Sequence, residues 1–417
     1  MHEKGKPPML NKNFLTFVAC GMVSSIGDLI YFFIFSWYIA SATQSVQYMG
    51  TIMLVSGITQ FAASIFCGAW VDVWGAKKII AVSNAIRALL MIGLMLVSMA
   101  QAPSLYVLLL IAIVFAITDA SFYPAVETIK PQLVSEDHLS RMNGVWYTLA
   151  RILSLIAPSI SALCMNLLGI QASFLCMAGC YTASALLLLF VRIQKVQTEP
   201  KPESGKWKHY TQSLTEGWIF IRNSRMMMTL LWLIFCVNIG ANSNGLLLPF
   251  LMKSMNWDAQ HMSYIYTWQA AAGIVCGSLL SVKSVKQPSF LYVLLGFLGQ
   301  GLAILTVCFS STLVFLCLNF AWLSVCTALV NIFIRTMMQK EVPSRYMARV
   351  GSLFAAISMT STPLSRFFTG FLSDRLGVRQ MYFWAGAFEV IVVAVFFLLY
   401  KQITAQSGVK SQTEVSG

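Results

Sequence analysis

Residues 104–126 read SLYVLLLIAIVFAITDASFYPAV, with Asp119 the single charge in the run. At about 1.5 Å of rise per residue, a helix of that length crosses the roughly 30 Å hydrocarbon core of a bilayer. A charge near the bilayer centre costs at least ~2.5–3.5 kcal/mol, so a lone acid there needs a partner or a task. Comparable runs fill the chain. They lie at 13–40, 46–70, 77–100, 104–126, 142–166 and 170–192, then at 226–251, 260–282, 288–309, 311–336, 347–372 and 380–400. Hydrophobic residues make up 58% of the 417 and charged residues 10%, with a mean hydropathy of +0.72. A soluble fold needs far more surface charge than that composition supplies. The first span contains Asp28 and lacks a small-residue cleavage site, so it reads as a retained helix rather than a signal peptide.

Charge distribution sets the orientation. Of the 28 Lys and Arg residues, 21 fall on the side of the N-terminus, and Lys253, Arg375 and Arg379 fall on the other. The positive-inside rule then places both termini in the cytoplasm, in the cell's plasma (inner) membrane. The net charge of +13 is the same bias and does not point to nucleic acid. The ten cysteines all lie in apolar runs without metal-site spacing, and read as small packing residues. There is no G-x-x-x-x-G-K-S/T sequence for a nucleotide, no His/Cys metal cluster and no soluble catalytic domain. The expectation is a non-enzymatic protein without cofactor or metal, monomeric, whose partners are protons, a small molecule and the lipid bilayer.

A polar segment, 193–225, divides the spans six and six. Its start, KVQTEPKPESGKWKH, reads as a solvated linker, and Leu214, Trp218 and Ile221 share a face of an amphipathic helix that follows. The predicted domains are 1–192, 193–225 and 226–417. A weak repeat relates the halves: Ala157-Pro158 and Leu168-Gly169 recur in order as Thr362-Pro363 and Leu376-Gly377. The predicted fold is therefore an all-α membrane protein of twelve transmembrane helices in two six-helix pseudo-repeats, an arrangement that secondary transporters use.

Between spans two and three the chain reads Gly68-Ala-Trp-Val-Asp72-Val-Trp-Gly75-Ala-Lys77-Lys78. This resembles the G-x-x-x-D-x-x-G-x-R/K motif of the major facilitator superfamily. Gly68 permits close helix approach and Gly75 a tight turn, Asp72 faces a helix N-terminus or a basic partner, and Lys77 and Lys78 anchor the turn. The resemblance implies that this loop gates the inner side. Phe122-Tyr-Pro124-Ala125, Ile129-Lys-Pro131-Gln-Leu133-Val134, Ser25-Ile-Gly27-Asp28 and Gly370-Phe-Leu-Ser-Asp374-Arg375 resemble the macrolide-efflux-like, drug:proton antiporter branch. Three positions depart from it: span five keeps only Pro158 and small residues of a glycine-rich motif, Val73 follows Asp72, and Asn84 stands where an acid is common.

The remaining intramembrane polar groups are the candidate site. Asp28 lies midway along span one with no basic residue within a turn of it; it is either a proton-coupling carboxylate or a hydrogen-bonding group of the bundle. Asp119 is the second candidate for coupling, with Arg87 or Arg151 as partner; Arg151 is the expected cavity charge, because span three is peripheral in the resembled fold. Glu127 reads as a solvated or gate-pairing group, and Glu389 as locally paired. Arg335 reads as snorkelling at an inner end. Asn238, Asn242 and Asn244 crowd span seven among glycines, which is costly in lipid unless they line water, ligand or a broken helix. With Arg151, Arg366, Tyr31, Trp268, Gln269 and Asn331 they form the expected substrate cavity. Trp37 and Tyr38 read as an outer interfacial belt. The expected function is a secondary transporter, exporting a small amphipathic drug or metabolite against protons. The alternatives are export of a self-made siderophore-like or lipid-like metabolite, an uptake symporter, or a non-transporting scaffold.

Overall fold

The fold follows from helix length. In a computed structural model, which describes residues 12–99, 104–134, 138–192, 206–241, 244–282 and 289–415, no strand occurs among the described residues. The helices are α1 (Lys12–Ala42), α2 (Val46–Trp74), α3 (Ala76–Ser98), α4 (Leu105–Leu133), α5 (Leu139–Leu189), α6 (Lys206–Asn223) and α7 (Arg225–Ala241). They continue as α8 (Asn244–Ser254), α9 (Ala259–Val282), α10 (Phe290–Thr306), α11 (Leu313–Glu341), α12 (Ser344–Leu376) and α13 (Val378–Val415). Among the described residues, each of the twelve expected spans falls largely on these helices. Among the described residues nine stretches are long and apolar enough to cross a membrane. One of them, Met142–Leu189, covers two expected spans and breaks at Gly169, whose φ of 78° and ψ of 174° suit only glycine.

Large apolar side chains point outward along the helices, among them Leu89, Leu110, Leu163, Leu279, Val314 and Leu398. In water such a surface would aggregate; against lipid tails it is the correct exterior. The polar backbone is meanwhile satisfied inside each helix.

The chain divides into two units, residues 1–201 with 248–267, and residues 202–247 with 268–417. In the first, α1 and α3 pack on α5, and α2 on α4. Phe14, Phe17, Ile80, Val126, Ile129 and Leu188 centre its core. Trp37 and Tyr38 depart from the expected interfacial belt and are buried here. The Lys253 ammonium sits 4.4 Å over the Trp37 ring, and Tyr38 meets Phe174 edge-on, so aromatic packing outweighs exposure of the polar tips.

In the second unit α10 packs on α11 and α13, and α12 on α6 and α7. Leu230, Val237, Phe297, Val330, Phe333 and Val350 centre its core. The amphipathic segment is α6: Ile221 is buried, Trp218 and Ile219 are exposed, and Glu216 pairs with Arg349 of α12. Gly217 allows that approach, since a Cβ there would lie 3.1–3.2 Å from Arg349. The seventh expected span lies on α7 and α8, and residues 242 and 243 lie outside the described residues.

Candidate functional site

The first unit holds its polar groups on one buried arginine. Arg87 of α3 is 0% exposed, and every nitrogen of its guanidinium is engaged. Nη1 donates to Asp28 Oδ1 of α1 at 3.0 Å, and Nη2 to Asp119 Oδ1 of α4 at 3.0 Å. Nε donates to Thr118 Oγ1 at 3.2 Å. Rings of Phe115, Phe122 and Tyr181 surround it at 5.0–5.8 Å. A buried cation is tolerated when paired and hydrogen-bonded on all sides, and here it is.

Each carboxylate has a further donor. The Tyr181 hydroxyl, from the second segment of α5, donates to Asp28 Oδ1 at 2.8 Å. Gln60 Nε2 of α2 donates to Asp119 Oδ2 at 2.6 Å. Five helix segments thus converge on two acids and one base. A turn or more away, Ser24 donates to Asn84 Oδ1 at 3.0 Å, Asn84 Nδ2 to Ser184 Oγ at 2.9 Å, and Ser184 to the Cys20 carbonyl at 2.8 Å. This ladder sews α1, α3 and α5 together, and Asn84, which departs from the acid common in the resembled branch, is a member of it.

Two expectations change here. Asp28 has no basic neighbour along its own helix, yet Arg87 reaches it from α3; sequence depth locates both residues, but not which helices adjoin. Of the two bases open to Asp119, Arg87 is the one seen to pair with it, so α3, expected to be peripheral, belongs to the acid site. The Arg151 side chain lies outside the described residues. Tyr31, expected in the cavity, stacks instead on Phe115 at 4.2 Å beside the acid site of the first unit.

The second unit contains a cavity of about 660 Å³. Asn238 of α7, Asn244 of α8, Gln269 of α9, Asn331 of α11 and Arg366 of α12 all line it, so five of the expected cavity residues meet in one place. Asn238 Nδ2 lies 3.4 Å from Ser358 Oγ as donor, and Asn331 Nδ2 donates to the Thr327 carbonyl at 2.9 Å. Trp268 is not in the lining and is 56% exposed. Asn242 lies outside the described residues. Sequence reading missed Gln300 and placed Arg335 at an inner helix end, whereas both line the cavity. Arg335 was findable: it follows Asn331 by four residues, hence on the same helix face. No acid is among the described lining residues, while two arginines are. Phe297, Leu323, Val330 and Phe354 supply an apolar wall.

The Gly68–Lys78 motif lies where α2 meets α3. Gly75 makes the turn with a φ of 81°, and Lys77 donates to the carbonyls of Val191 and Leu189 at 2.7 and 3.3 Å. Lys77 therefore caps the C-terminal end of α5, where free carbonyls and the helix dipole favour a cation. Lys78 is exposed. The side chains of Gly68 and Asp72 lie outside the described residues. Glu127 pairs within its own helix with Lys130 at 2.5 Å.

A bundle of apolar helices enclosing an ion-paired acid site and a polar cavity is that of a multi-pass membrane transporter, not of an enzyme. The Major Facilitator Superfamily description matches residues 17–364. The chain belongs to that superfamily. It is 21% identical over 398 residues to an uncharacterised MFS-type transporter, YvqJ of Bacillus subtilis, covering 95% of this chain and 94% of that one. It is 24% identical over 362 residues to the enterobactin exporter EntS of Escherichia coli, covering 86% and 84%. Among solved structures, the nucleoside transporter NupG gives a TM-score of 0.73 at 14% identity, covering 94% of this chain and all of that one. An inward-facing bacterial homolog of the human lysosomal transporter Spinster gives 0.74 at 14% identity, covering 94% and 97%. At these identities the structural likeness speaks for the fold alone.

Proposed function

We propose that this chain exports a small amphipathic compound in exchange for protons, with Asp28 and Asp119 as the proton-coupling pair. One observation carries the reading: a single guanidinium faces two carboxylates, each at 3.0 Å. With both acids ionised the trio has a net charge of −1, and one proton makes it neutral. A proton on Asp119 turns an acceptor oxygen into a donor, which weakens the hold of Arg87 on α4 and leaves it to Asp28 on α1. Proton occupancy then selects between two packings of α1, α3 and α4, which is what alternating access requires.

The cargo site of this reading is the cavity of the second unit. Its amides offer both donors and acceptors, its wall is apolar, and Arg335 and Arg366 favour a cargo bearing an anionic group. Similarity to enterobactin exporters supports export over uptake and favours, as a second reading, a siderophore-like metabolite as the cargo. The chain works as a monomer in the inner membrane with both termini in the cytoplasm, and the loop at Gly68, Asp72, Gly75, Lys77 and Lys78 gates the inner side.

Everted membrane vesicles test this. A panel of amphipathic anions, neutral compounds and cations is offered with and without an imposed pH gradient. Gradient-driven accumulation of anionic members is expected, lost in Asp28→Asn. Accumulation that ignores the pH gradient, or no accumulation of any member, sinks the reading.

A further inference from the structure

Glu389 lies midway along the apolar stretch Val378–Tyr400 of α13, in the second unit, and is 0% exposed. Among the described residues neither carboxyl oxygen has a hydrogen-bond partner. Among the described residues the local pairing expected from its sequence position is absent, and no charged group acts on it. Space for it comes from glycines on two other helices. A Cβ on Gly301 of α10 would lie 3.2 Å from its Cβ and Cγ, and one on Gly240 of α7 would lie 3.7 Å from its Cβ. One turn along α13, a Cβ on Gly386 would meet the Leu305 backbone nitrogen at 2.3 Å, so α13 and α10 pack backbone to backbone. α10 carries no charged residue at all, and α7 carries none beyond Arg225 at its start. From α11 the facing titratable group is the Cys326 thiol.

An ionised carboxylate in that place has neither water, nor a counter-ion, nor a donor, which is the costliest state a side chain can hold inside a membrane. The neutral acid needs only one acceptor for its O–H, a far smaller demand than a bare charge makes in that place. The site is also thinly walled. Gln300, next to Gly301, and Asn238, two residues before Gly240, both line the cavity. The two helices that enclose the carboxyl are thus walls of the proposed cargo site. Glycine contacts resist little when neighbouring helices slide.

We propose that Glu389 is a second proton-binding site, filled while α7, α10 and α13 are closed around it and emptied when they part. In the emptied state the carboxyl O–H proton passes to entering water and the carboxylate stays solvated on α13. The link to cargo rests on reading the cavity as the cargo site; the proton itself does not.

Infrared spectroscopy of the full-length protein in lipid tests this without any ligand. The spectrum should contain a protonated-carboxyl C=O band at neutral pH that disappears in Glu389→Gln and shifts in Glu389→Asp, the variant that keeps an acid if Gln fails to insert. Raising the pH should remove the band reversibly. A spectrum in which neither variant changes that region means that Glu389 is ionised and overturns the proposal. A band that persists until the protein unfolds also overturns it, since the acid is then only packing. Asp28→Asn should leave the band in place. Loss of coupling at Asp28 and absence of a proton at Glu389 are therefore separate results.

Discussion

Tyr181 and Arg87 hold the same atom: the phenol hydroxyl at 2.8 Å and a guanidinium nitrogen at 3.0 Å both donate to Oδ1 of Asp28. The tyrosine ring closes over Gly27, where a Cβ would stand 2.9 Å from it. The side chain that tunes Asp28 is thus placed by the absence of a side chain at its neighbour.

Tyr181→Phe should keep the ring and remove the hydroxyl. A hydrogen bond to a charged group is worth roughly 1.5–3 kcal/mol. The variant should insert normally, melt at lower temperature in detergent, and show a displaced pH profile of gradient-driven transport. An unmoved profile would make the hydroxyl a bystander.

Gly27→Ala tests the same contact from the other side. The new methyl must push the Tyr181 ring away, an overpacking that costs about 1–3 kcal/mol. It should reproduce the pH displacement of Tyr181→Phe, and the double variant should add little to either single one. Additive effects would separate the two positions.

Asp28→Asn leaves Arg87 with Asp119 as its one acid, and should abolish pH-driven accumulation while cargo still exchanges. Asp119→Asn is the matched comparison, because Asp28 retains Tyr181 and Arg87. Full pH-driven transport in Asp28→Asn would move coupling to another residue or another ion.

Arg366→Gln removes a cavity cation while keeping a hydrogen-bonding head. Binding of an anionic cargo should weaken by roughly 10–100-fold, the equivalent of a charged hydrogen bond. Neutral members of the panel should be little affected, and a uniform loss across the panel would point to a collapsed cavity.

Orientation is tested by a cysteine at Ser204, in a background without native cysteines. An impermeant thiol reagent should label it in everted vesicles and not in intact cells. Labelling from outside would reverse the topology that the distribution of Lys and Arg implies.

Span positions were legible because a bilayer imposes a length, and residues such as Leu105 to Ala116 report it without ambiguity. The glycine turns were legible too: Gly169 and Gly377, picked out as repeat punctuation, both take left-handed φ values, 78° and 90°. Asn238, Gln269, Asn331 and Arg366 share a cavity because polar groups in apolar spans have few other places to go. What hydropathy does not carry is azimuth. It gives the depth of Asp28, Arg87 and Asp119 but not the helix order around them, so the pairing through Arg87 needed the fold. Residue type alone put Tyr31 and Trp268 in the cavity, and packing against Phe115 and exposure to the exterior placed them elsewhere. Glu389 reads in the sequence as locally paired for a related reason, since only the fold shows that its carboxyl has no partner among the described residues.

Because Arg87 serves two acids, it is the position that evolutionary drift can least afford to alter first. Changing Asp119 to a neutral amide leaves one acid and one base, a balanced pair. Changing Arg87 leaves two partly exposed carboxylates without the cation they share, a like-charge repulsion that the loss of either acid does not create. Lineages descending from a chain of this kind should shed an acid before the arginine. Where the arginine is gone, both acids should have gone with it.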